Sequence, residues 1–272
     1  MKNKTNPKAQ PKGSNTAKNK ALKNKTKQKI QAGQATLGAF VGMGCPEAAE
    51  VMAYVGFDWL VIDAEHGPLD WRTCLSLLQA MNGSEATPIV RVAWNDPVLI
   101  KRVLDMGTQG VLIPMVNDRQ SAELAVKACK YPPQGIRGIG PMRPSHGYLE
   151  MDEYLRTAND DILVIVQIEH IDAVNNIEEI FKVEGIDCYF IGPQDLAASM
   201  GLITQIHHPK VRQAIDKVLE VGKKAGIAAG LYAMSLDEVA SYVEQGYKMI
   251  SIGNDAGILA TGARDLIKRF KK

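Results

Sequence analysis

The stretch FDWLVIDAEHGPLD, residues 57–70, changes from an apolar strand into a cluster of ionisable side chains. Residues 59–62 are all apolar, whereas Asp63, Glu65 and His66 follow them within four positions. Burying such groups costs several kcal/mol each unless they are paired or bound to an ion. The stretch is therefore either a strand that leaves the core or one side of an active site, and the rest of the sequence has to distinguish the two.

The composition is that of a globular protein with one large domain. The chain has 272 residues, of which 46% are hydrophobic and 23% charged, and this length suits a single α/β barrel. No apolar run reaches the roughly 18 residues of a membrane span, and no signal peptide is visible. The four cysteines are scattered without CxxC spacing, which predicts a reduced, cytoplasmic protein and argues against a disulfide framework or a zinc site.

The N-terminal residues 1–30 differ from the remainder in charge. They hold ten lysines and no acidic residue, whereas residues 31–272 carry 22 basic against 30 acidic residues. With few apolar residues, the segment 1–30 is predicted to be a disordered, lysine-rich tail. It is either a solvated extension, a weak contact to nucleic acid or an anionic surface, or an organelle-targeting peptide.

Eight short apolar runs follow the tail, and helix-like segments separate them. They are near-continuously apolar rather than alternating, as expected for parallel strands that are covered on both faces. The runs are residues 36–43, 57–65, 87–94, 110–116, 163–169, 188–193, 228–233 and 249–254.

The segments between the runs carry helix start and stop signals. Asp96 and Asp118 are N-cap candidates, Ser235 opens a further helix, and Gly107 and Gly246 end two of them. Eight strand–helix units predict a closed (β/α)8 TIM barrel over residues 31–272. A doubly wound open sheet is the alternative, but no GxGxxG follows the first run.

A long connection, PPQGIRGIGPMRPSHGY at residues 132–148, interrupts this regular pattern. It lacks the Lys-Ser/Thr of a phosphate-binding loop and the spacing of a dinucleotide fingerprint. Connections of this length in compact domains are usually functional or mobile. We interpret its glycine-rich part GIRGIG, residues 135–140, as a flexible rim loop.

Polar residues cluster where several of the predicted strands end, which is the catalytic end of a barrel. Gln167 and Glu169 share one strand face, and Asp195 follows the next strand. The two carboxylates are thus predicted side by side, where they repel unless a cation joins them. A hard divalent cation suits them better than zinc. The alternative is that each makes a helix cap or a salt bridge.

Arg91 and His66 are the other two candidates of this rim. A buried arginine needs an anionic partner, so Arg91 is either in a structural ion pair or stabilises a negative oxygen during reaction. His66 beside Asp63 resembles a general base with an orienting acid, although a lone histidine is more often merely hydrogen-bonded. No lysine lies in the eight runs, which argues against a Schiff-base mechanism.

The order of these motifs resembles the HpcH/HpaI aldolase family of metal-dependent pyruvate aldolases. The resemblance extends over roughly residues 33–270 and rests on DWLVIDAEHGPLD, VRVAWNDPVLIKRVLDMG, VLIPMVN, YPPQGIRGIGP, VQIEHIDAVNNIEEI and VEGIDCYFIGPQDLAASMG. It implies a (β/α)8 barrel whose last helix packs on a neighbouring subunit, usually in hexamers. It also implies retro-aldol cleavage of a 4-hydroxy-2-oxo acid to pyruvate and an aldehyde.

The resemblance assigns a role to each candidate. Glu169 and Asp195 would hold Mg²⁺, Mn²⁺ or Co²⁺, which the 2-oxo acid chelates. Gln167 and the main-chain amides around Gln194 and Asp195 would hold the substrate carboxylate, and Arg91 would stabilise the enolate oxygen.

His66 would take the proton of the 4-hydroxyl in this scheme. The family has an aspartate matching Asp105 that supports this histidine, but Asp105 falls at the end of the third helix, at the opposite rim. Either a neighbouring subunit supplies it, or the chain bends, or Asp63 takes this role.

Two features depart from the family pattern, namely the PMRPSHGY sequence after the glycine-rich loop and the lysine-rich tail. Two alternatives to the aldolase are a lyase acting on malyl- or citryl-CoA thioesters and a non-catalytic barrel that binds nucleic acid through its tail.

Overall fold

Eight parallel strands form a closed barrel in which each strand pairs with the next and β8 pairs with β1. The structure is a computed structural model that describes residues 24–233 and 235–271. The strands are β1 Thr36–Val41, β2 Trp59–Asp63, β3 Thr87–Arg91, β4 Gly110–Ile113, β5 Leu163–Ile168, β6 Cys188–Ile191, β7 Ala228–Tyr232 and β8 Met249–Asn254. Each lies within one of the eight predicted runs, so the (β/α)8 prediction is confirmed.

Helices surround the barrel between successive strands. They are α1 Lys25–Gln31, α2 Pro46–Tyr54, α3 Trp71–Ala80, α4 Pro97–Asp105, α5 Arg119–Cys129, α6 Met151–Asp161, α7 Ile171–Asn175, α8 Ile177–Ile180, α9 Pro193–Ser199, α10 Pro209–Ala225, α11 Val239–Gln245 and α12 Asp255–Phe270. Asp96 and Asp118 cap α4 and α5 as predicted.

Aromatic side chains fill the barrel interior. Trp59 and Phe190 lie edge to face with their ring centroids 6.2 Å apart, and Phe40 packs against Phe190. Gly38 allows this packing, because a Cβ there would lie 2.1 Å from the Trp59 ring. The Trp59 indole N–H donates to Oγ1 of Thr36 at 3.1 Å, so its polar atom is satisfied although the residue is fully buried. The interior is thus a packed core rather than a channel.

Helix α1 closes the N-terminal end of the barrel, which we call the floor. Ile30 of α1 belongs to the interior cluster, and the Thr26 hydroxyl donates to Oγ1 of Thr87 at 2.8 Å. Residues 25–31 are therefore ordered helix, and the predicted tail boundary at residue 30 is too far along the chain. The prediction for residues 1–23 lies outside the described residues.

Three lysines assigned to the tail are ion-paired to the barrel. Lys25 contacts the exposed Glu85, and Lys29 contacts Asp58. Lys27 is 4% exposed and reaches Asp187 at 2.9 Å and the carbonyl of Ile162 at 2.9 Å. In the sequence these lysines cannot be distinguished from the other lysines of the tail, because their acidic partners lie far along the chain.

The glycine-rich loop after α5 lies at the floor and not at the active-site rim. Arg137 donates to Asp105 at the end of α4 at 2.8 Å, and its guanidinium stacks on Tyr131 at 4.4 Å. Arg143 donates to the carbonyl of Met106. The prediction of a rim loop is therefore wrong for a single chain, because a connection from a helix back to a strand returns to the N-terminal end of the strands.

Helix α12 extends from the end of β8 and buries little. Asp255, its first residue, is the buried one, whereas its apolar residues Ile258, Leu259, Leu266, Ile267 and Phe270 are 47–85% exposed. None of the helices within residues 24–233 and 235–271 is long and apolar enough to cross a bilayer.

Candidate active site

A cavity of about 470 Å³ opens at the C-terminal ends of the strands. Its lining includes six of the predicted site residues: Asp63, His66, Arg91, Gln167, Gln194 and Asp195. Four different strands, β2, β3, β5 and β6, lead into these side chains. The structure therefore brings the predicted residues together, although they are far apart in the sequence.

Arg91 is held rigidly by two carboxylates at this rim. Its Nε and Nη2 donate to the two oxygens of Asp63 at 2.9 and 2.7 Å, and Nη1 lies 3.1 Å from Glu65. The guanidinium also lies over the Phe40 ring, 5.0 Å from its centroid. Burial alone would raise the pKa of Asp63, but the hydrogen bonds and charge of Arg91 lower it below the ordinary value. The pair is a bidentate fork of fixed direction.

Asp63 does not orient the imidazole of His66. Its Oδ1 accepts the main-chain amides of Glu65 and His66 at 3.2 and 3.3 Å and thereby shapes the turn after β2. The imidazole Nε2 lies 3.9 Å from Glu65, and the side chain of His66 is 66% exposed. Asp63, the second predicted partner of His66, thus does not bond its imidazole, because Arg91 occupies the Asp63 carboxylate.

Glu169 is a buried carboxylate with few positive neighbours. Its Oε1 accepts a hydrogen bond from the main-chain amide of Met115 at 2.9 Å, and its Oε2 accepts one from Nε2 of Gln167. Burial, together with the charges of Glu65 and Asp195, raises the pKa of Glu169 to about 7, although the Met115 hydrogen bond and the charge of Arg91 oppose this shift. The charge of Asp195 therefore acts on Glu169, and the placement of the two carboxylates around one cation stays a prediction.

The surroundings of Glu169 and Asp195 fit a hard divalent cation. Oε1 of Gln167 is buried without a hydrogen-bond partner among the described residues. Gly192 lies against the same groups, and a Cβ there would meet Glu169 and Gln167 at 3.1–3.2 Å. The described residues contain no cluster of three or more His, Cys, Asp or Glu side chains that could hold a metal. Two carboxylates with open positions are nevertheless the donor set of Mg²⁺-type ions, which keep waters and bind substrate oxygens.

Glu65 adds a further acid to the rim. Burial is the largest effect and raises the pKa of Glu65. The charges of Asp63 and Asp195 also raise it, whereas the charge of Arg91 lowers it. Its Oε2 is buried, and its 3.1 Å approach to Arg91 is too poorly aligned to be a hydrogen bond. The rim thus carries a surplus of negative charge.

Asp105 lies away from this cavity. It ends α4 at the floor and accepts a hydrogen bond from Arg137 at 2.8 Å. Within one chain it does not meet His66, in agreement with its predicted position at the opposite rim.

The side chains of the same cavity that the prediction from sequence missed include Phe40, Tyr232 and Asn254. They lie at or near the ends of β1, β7 and β8. The rule that strand ends carry function would have found them, but it was applied only to the ends of β2, β3, β5 and β6.

Comparisons with known proteins identify the family. The family described as HpcH/HpaI aldolase/citrate lyase matches residues 36–261. A 4-hydroxy-2-oxo-heptane-1,7-dioate aldolase of Salmonella typhimurium is 42% identical over 92% of this chain and 95% of its own.

Solved structures agree with this match. A HpcH/HpaI aldolase/citrate lyase family protein from Burkholderia cenocepacia J2315 has a TM-score of 0.88 and 36% identity, covering 92% of this chain and 100% of that one. The citrate synthase SbnG has a TM-score of 0.83 and 30% identity, with 90% and 96% covered. The resemblance inferred from the motifs is confirmed, and the chain belongs to the HpcH/HpaI aldolase/citrate lyase family of lyases.

Proposed function

We propose that this protein cleaves 4-hydroxy-2-oxo acids into pyruvate and an aldehyde with a divalent cation held by Glu169 and Asp195. One observation carries the proposal. Asp195, Arg91 and Gln167, whose carbonyl is unpaired, line one cavity, and the buried Glu169 bonds Gln167 directly behind them. Such a set binds a cation and an oxo acid together.

Glu169 and Asp195 supply the charge that holds the ion, which is Mg²⁺, Mn²⁺ or Co²⁺. When bound, the cation polarises the 2-oxo group of the substrate. Gln167 and the main chain at Gln194 and Asp195, the first turn of α9, hold the substrate carboxylate. Helix first turns have unpaired N–H groups that suit this role.

Arg91 stabilises the negative charge that develops on the enolate oxygen. Asp63 fixes the guanidinium on two of its nitrogens, so the arginine is oriented before the reaction begins. A preorganised donor of this kind acts mainly in the transition state. Asp63 is thus a positioning residue for Arg91.

His66 takes the proton from the 4-hydroxyl. The C3–C4 bond then breaks, C4 becomes the aldehyde carbonyl, and the electron pair passes to the enolate, which is protonated at C3 to give pyruvate. Asp105 supports His66 only from a neighbouring subunit, because its own chain holds it at the floor. The exposed apolar face of α12 agrees with a homo-oligomer, and a hexamer is our proposal.

Two further predictions concern the surroundings of the enzyme. A cytoplasmic location agrees with four free cysteines, Cys45, Cys74, Cys129 and Cys188. Contact of the N-terminal lysines with nucleic acid predicts retention on heparin that is lost when residues 1–23 are deleted. Unchanged retention would reject this contact.

The first experiment measures pyruvate release from several 4-hydroxy-2-oxo acids with Mg²⁺ or Mn²⁺ and after metal removal with EDTA. We expect release that EDTA abolishes and added Mn²⁺ restores. Release that persists in metal-depleted protein would show that the carboxylate pair is structural. Release of CoA from malyl- or citryl-CoA, without pyruvate from any oxo acid, would favour the thioester lyase instead.

A further inference from the structure

The cavity wall at the ends of β7 and β8 carries a phenol hydroxyl that the proposed mechanism does not use. Tyr232 ends β7 and Asn254 ends β8, and both line the cavity. The Tyr232 ring packs at 5.8 Å from that of Phe40 on β1. This wall therefore combines aromatic surface with a single phenol hydroxyl.

Asn254 determines which way this hydroxyl is used. Its Oδ1 accepts the amide of Gly257 at 2.8 Å and so caps α12. Its Nδ2 must then point the other way, and it donates to the Tyr232 oxygen at 3.1 Å. The oxygen is thus engaged as an acceptor, and no acceptor within the described chain takes the Tyr232 proton. The hydroxyl is left as a hydrogen-bond donor toward the cavity.

The charges around the cavity restrict what this donor can bind. Among the described lining residues, Arg91 is the one permanent cation, and Asp63 and Glu65 already engage it. Asp255 on the Tyr232 side is an acid that accepts the amides of Gly42 and Met43. Among the described residues of one chain, a second substrate carboxylate would find no free counter-charge here, whereas an uncharged oxygen would find the phenol.

We propose that Tyr232, oriented by Asn254, is a specificity-determining residue that selects uncharged hydroxyaldehydes as the aldehyde half of the substrate. This inference rests on the proposed aldolase function, in which Gln167 and the first turn of α9 hold the oxo acid half. The Tyr232 hydroxyl donates to a hydroxyl oxygen of the aldehyde half, and Phe40 covers its carbon atoms.

The test is the reverse reaction, aldol addition of pyruvate by the full-length Mn²⁺-loaded protein. Glycolaldehyde and propanal are nearly equal in size and differ in one hydroxyl. Because their intrinsic reactivities differ, the measured quantity is the ratio of their kcat/KM values in each variant relative to wild type. Tyr232→Phe should lower this ratio about tenfold, the typical effect of one hydrogen bond. Tyr242→Phe, whose hydroxyl bonds Glu238 outside the cavity, should leave it unchanged.

Asn254→Asp tests the orientation of the hydroxyl. The carboxylate keeps the cap on Gly257 but accepts the Tyr232 proton, so the ratio should fall as it does in Tyr232→Phe although the hydroxyl is still present. An unchanged ratio in Tyr232→Phe would overturn the proposal. An unchanged ratio in Asn254→Asp alone would overturn the role of Asn254. A higher kcat/KM for 4-oxobutanoate than for glycolaldehyde would overturn the preference for uncharged partners.

A separate measurement distinguishes this inference from the aldolase function itself. Exchange of the pyruvate methyl protons in D₂O, followed by NMR without aldehyde, reports enolate formation alone. Mn²⁺-dependent exchange with an unchanged ratio would refute only the role of Tyr232. Absent exchange would refute the proposed function and this inference with it.

Discussion

The two ends of the barrel treat buried charge differently. At the floor, the buried Lys27 meets Asp187 and the buried Arg137 meets Asp105. Each of these two cations has its own carboxylate, and each makes a further hydrogen bond, to the carbonyl of Ile162 and to the hydroxyl of Tyr154. Such pairs fix the arrangement of helices around the strands.

The rim gathers four acids around one arginine. Asp63 and Glu65 form ion pairs with Arg91. Glu169 and Asp195 add a surplus of negative charge, and their repulsion raises the pKa of Glu169. The surplus is unfavourable for an empty cavity and favourable for one that takes a cation. The floor is therefore arranged for stability and the rim for binding, as expected of a (β/α)8 barrel. Variants at each end should therefore separate activity from stability.

The largest effect on activity is expected from Glu169→Gln. The neutral amide fills the same space and removes one ligand charge, so kcat/KM should fall about 10³-fold or more, beyond the 10–100-fold typical of residues that only support a ligand. The melting temperature of the metal-free protein should not fall, because a repelling charge is lost. Glu123→Gln, an exposed acid that pairs with Arg119 and Lys127, is the matched control and should keep full activity. Undiminished turnover in Glu169→Gln would reject the metal assignment.

Arg91→Lys should have the second-largest effect. Lysine keeps the positive charge but not the fork that Asp63 holds at two points, so the oxyanion contact is lost and kcat falls about 10²-fold. Arg119→Lys, at an exposed pair with Glu123, should change neither kcat nor stability. Steady-state kinetics with saturating Mn²⁺ decides the question. Wild-type kcat in Arg91→Lys would remove Arg91 from the mechanism.

Substitution of Asp105 tests whether the floor of one subunit supports His66 at the rim of its neighbour. Asp105→Asn should lower activity about tenfold if a neighbour's floor supports His66, because an oriented base contributes at least that much. Co-expressed Asp105→Asn and His66→Ala chains should then exceed the average activity of the two pure variants, since mixed oligomers contain sites with both original residues. An activity equal to that average would show that Asp105 pairs with Arg137 in its own chain and does not support His66 of a neighbour.

The fold was predictable because its signals are local. Eight apolar runs without alternation, together with caps at Asp96 and Asp118, give parallel strands with helices between them. The position of the 132–148 loop was predicted wrongly from its composition. Its place after α5 was the better guide, because a helix returns to the floor before the next strand begins.

The site was predictable where charge marked it. Glu169 and Asp195 were located by counting one strand–helix unit between them. The partner of Asp63 was not predictable, because the choice between His66 and Arg91 depends on side-chain directions. Tyr232 has no charge and ends an apolar strand, so the role that we propose for it depends on the hydrogen bond that Asn254 donates.

The last and smallest effect on activity is expected at the floor, where Lys27→Met should change stability alone. Asp187 would lose its buried partner, which costs about 3 kcal/mol of unfolding free energy, while kcat stays unchanged because the rim is untouched. Lys25→Met is the matched control in the same helix. Its pair with Glu85 is exposed, with side-chain exposures of 52% and 82%, and is worth less than about 1 kcal/mol. Urea unfolding measures both. Equal losses in the two variants would show that burial does not distinguish these pairs, and a fall in kcat for Lys27→Met would show that the floor and the rim are coupled.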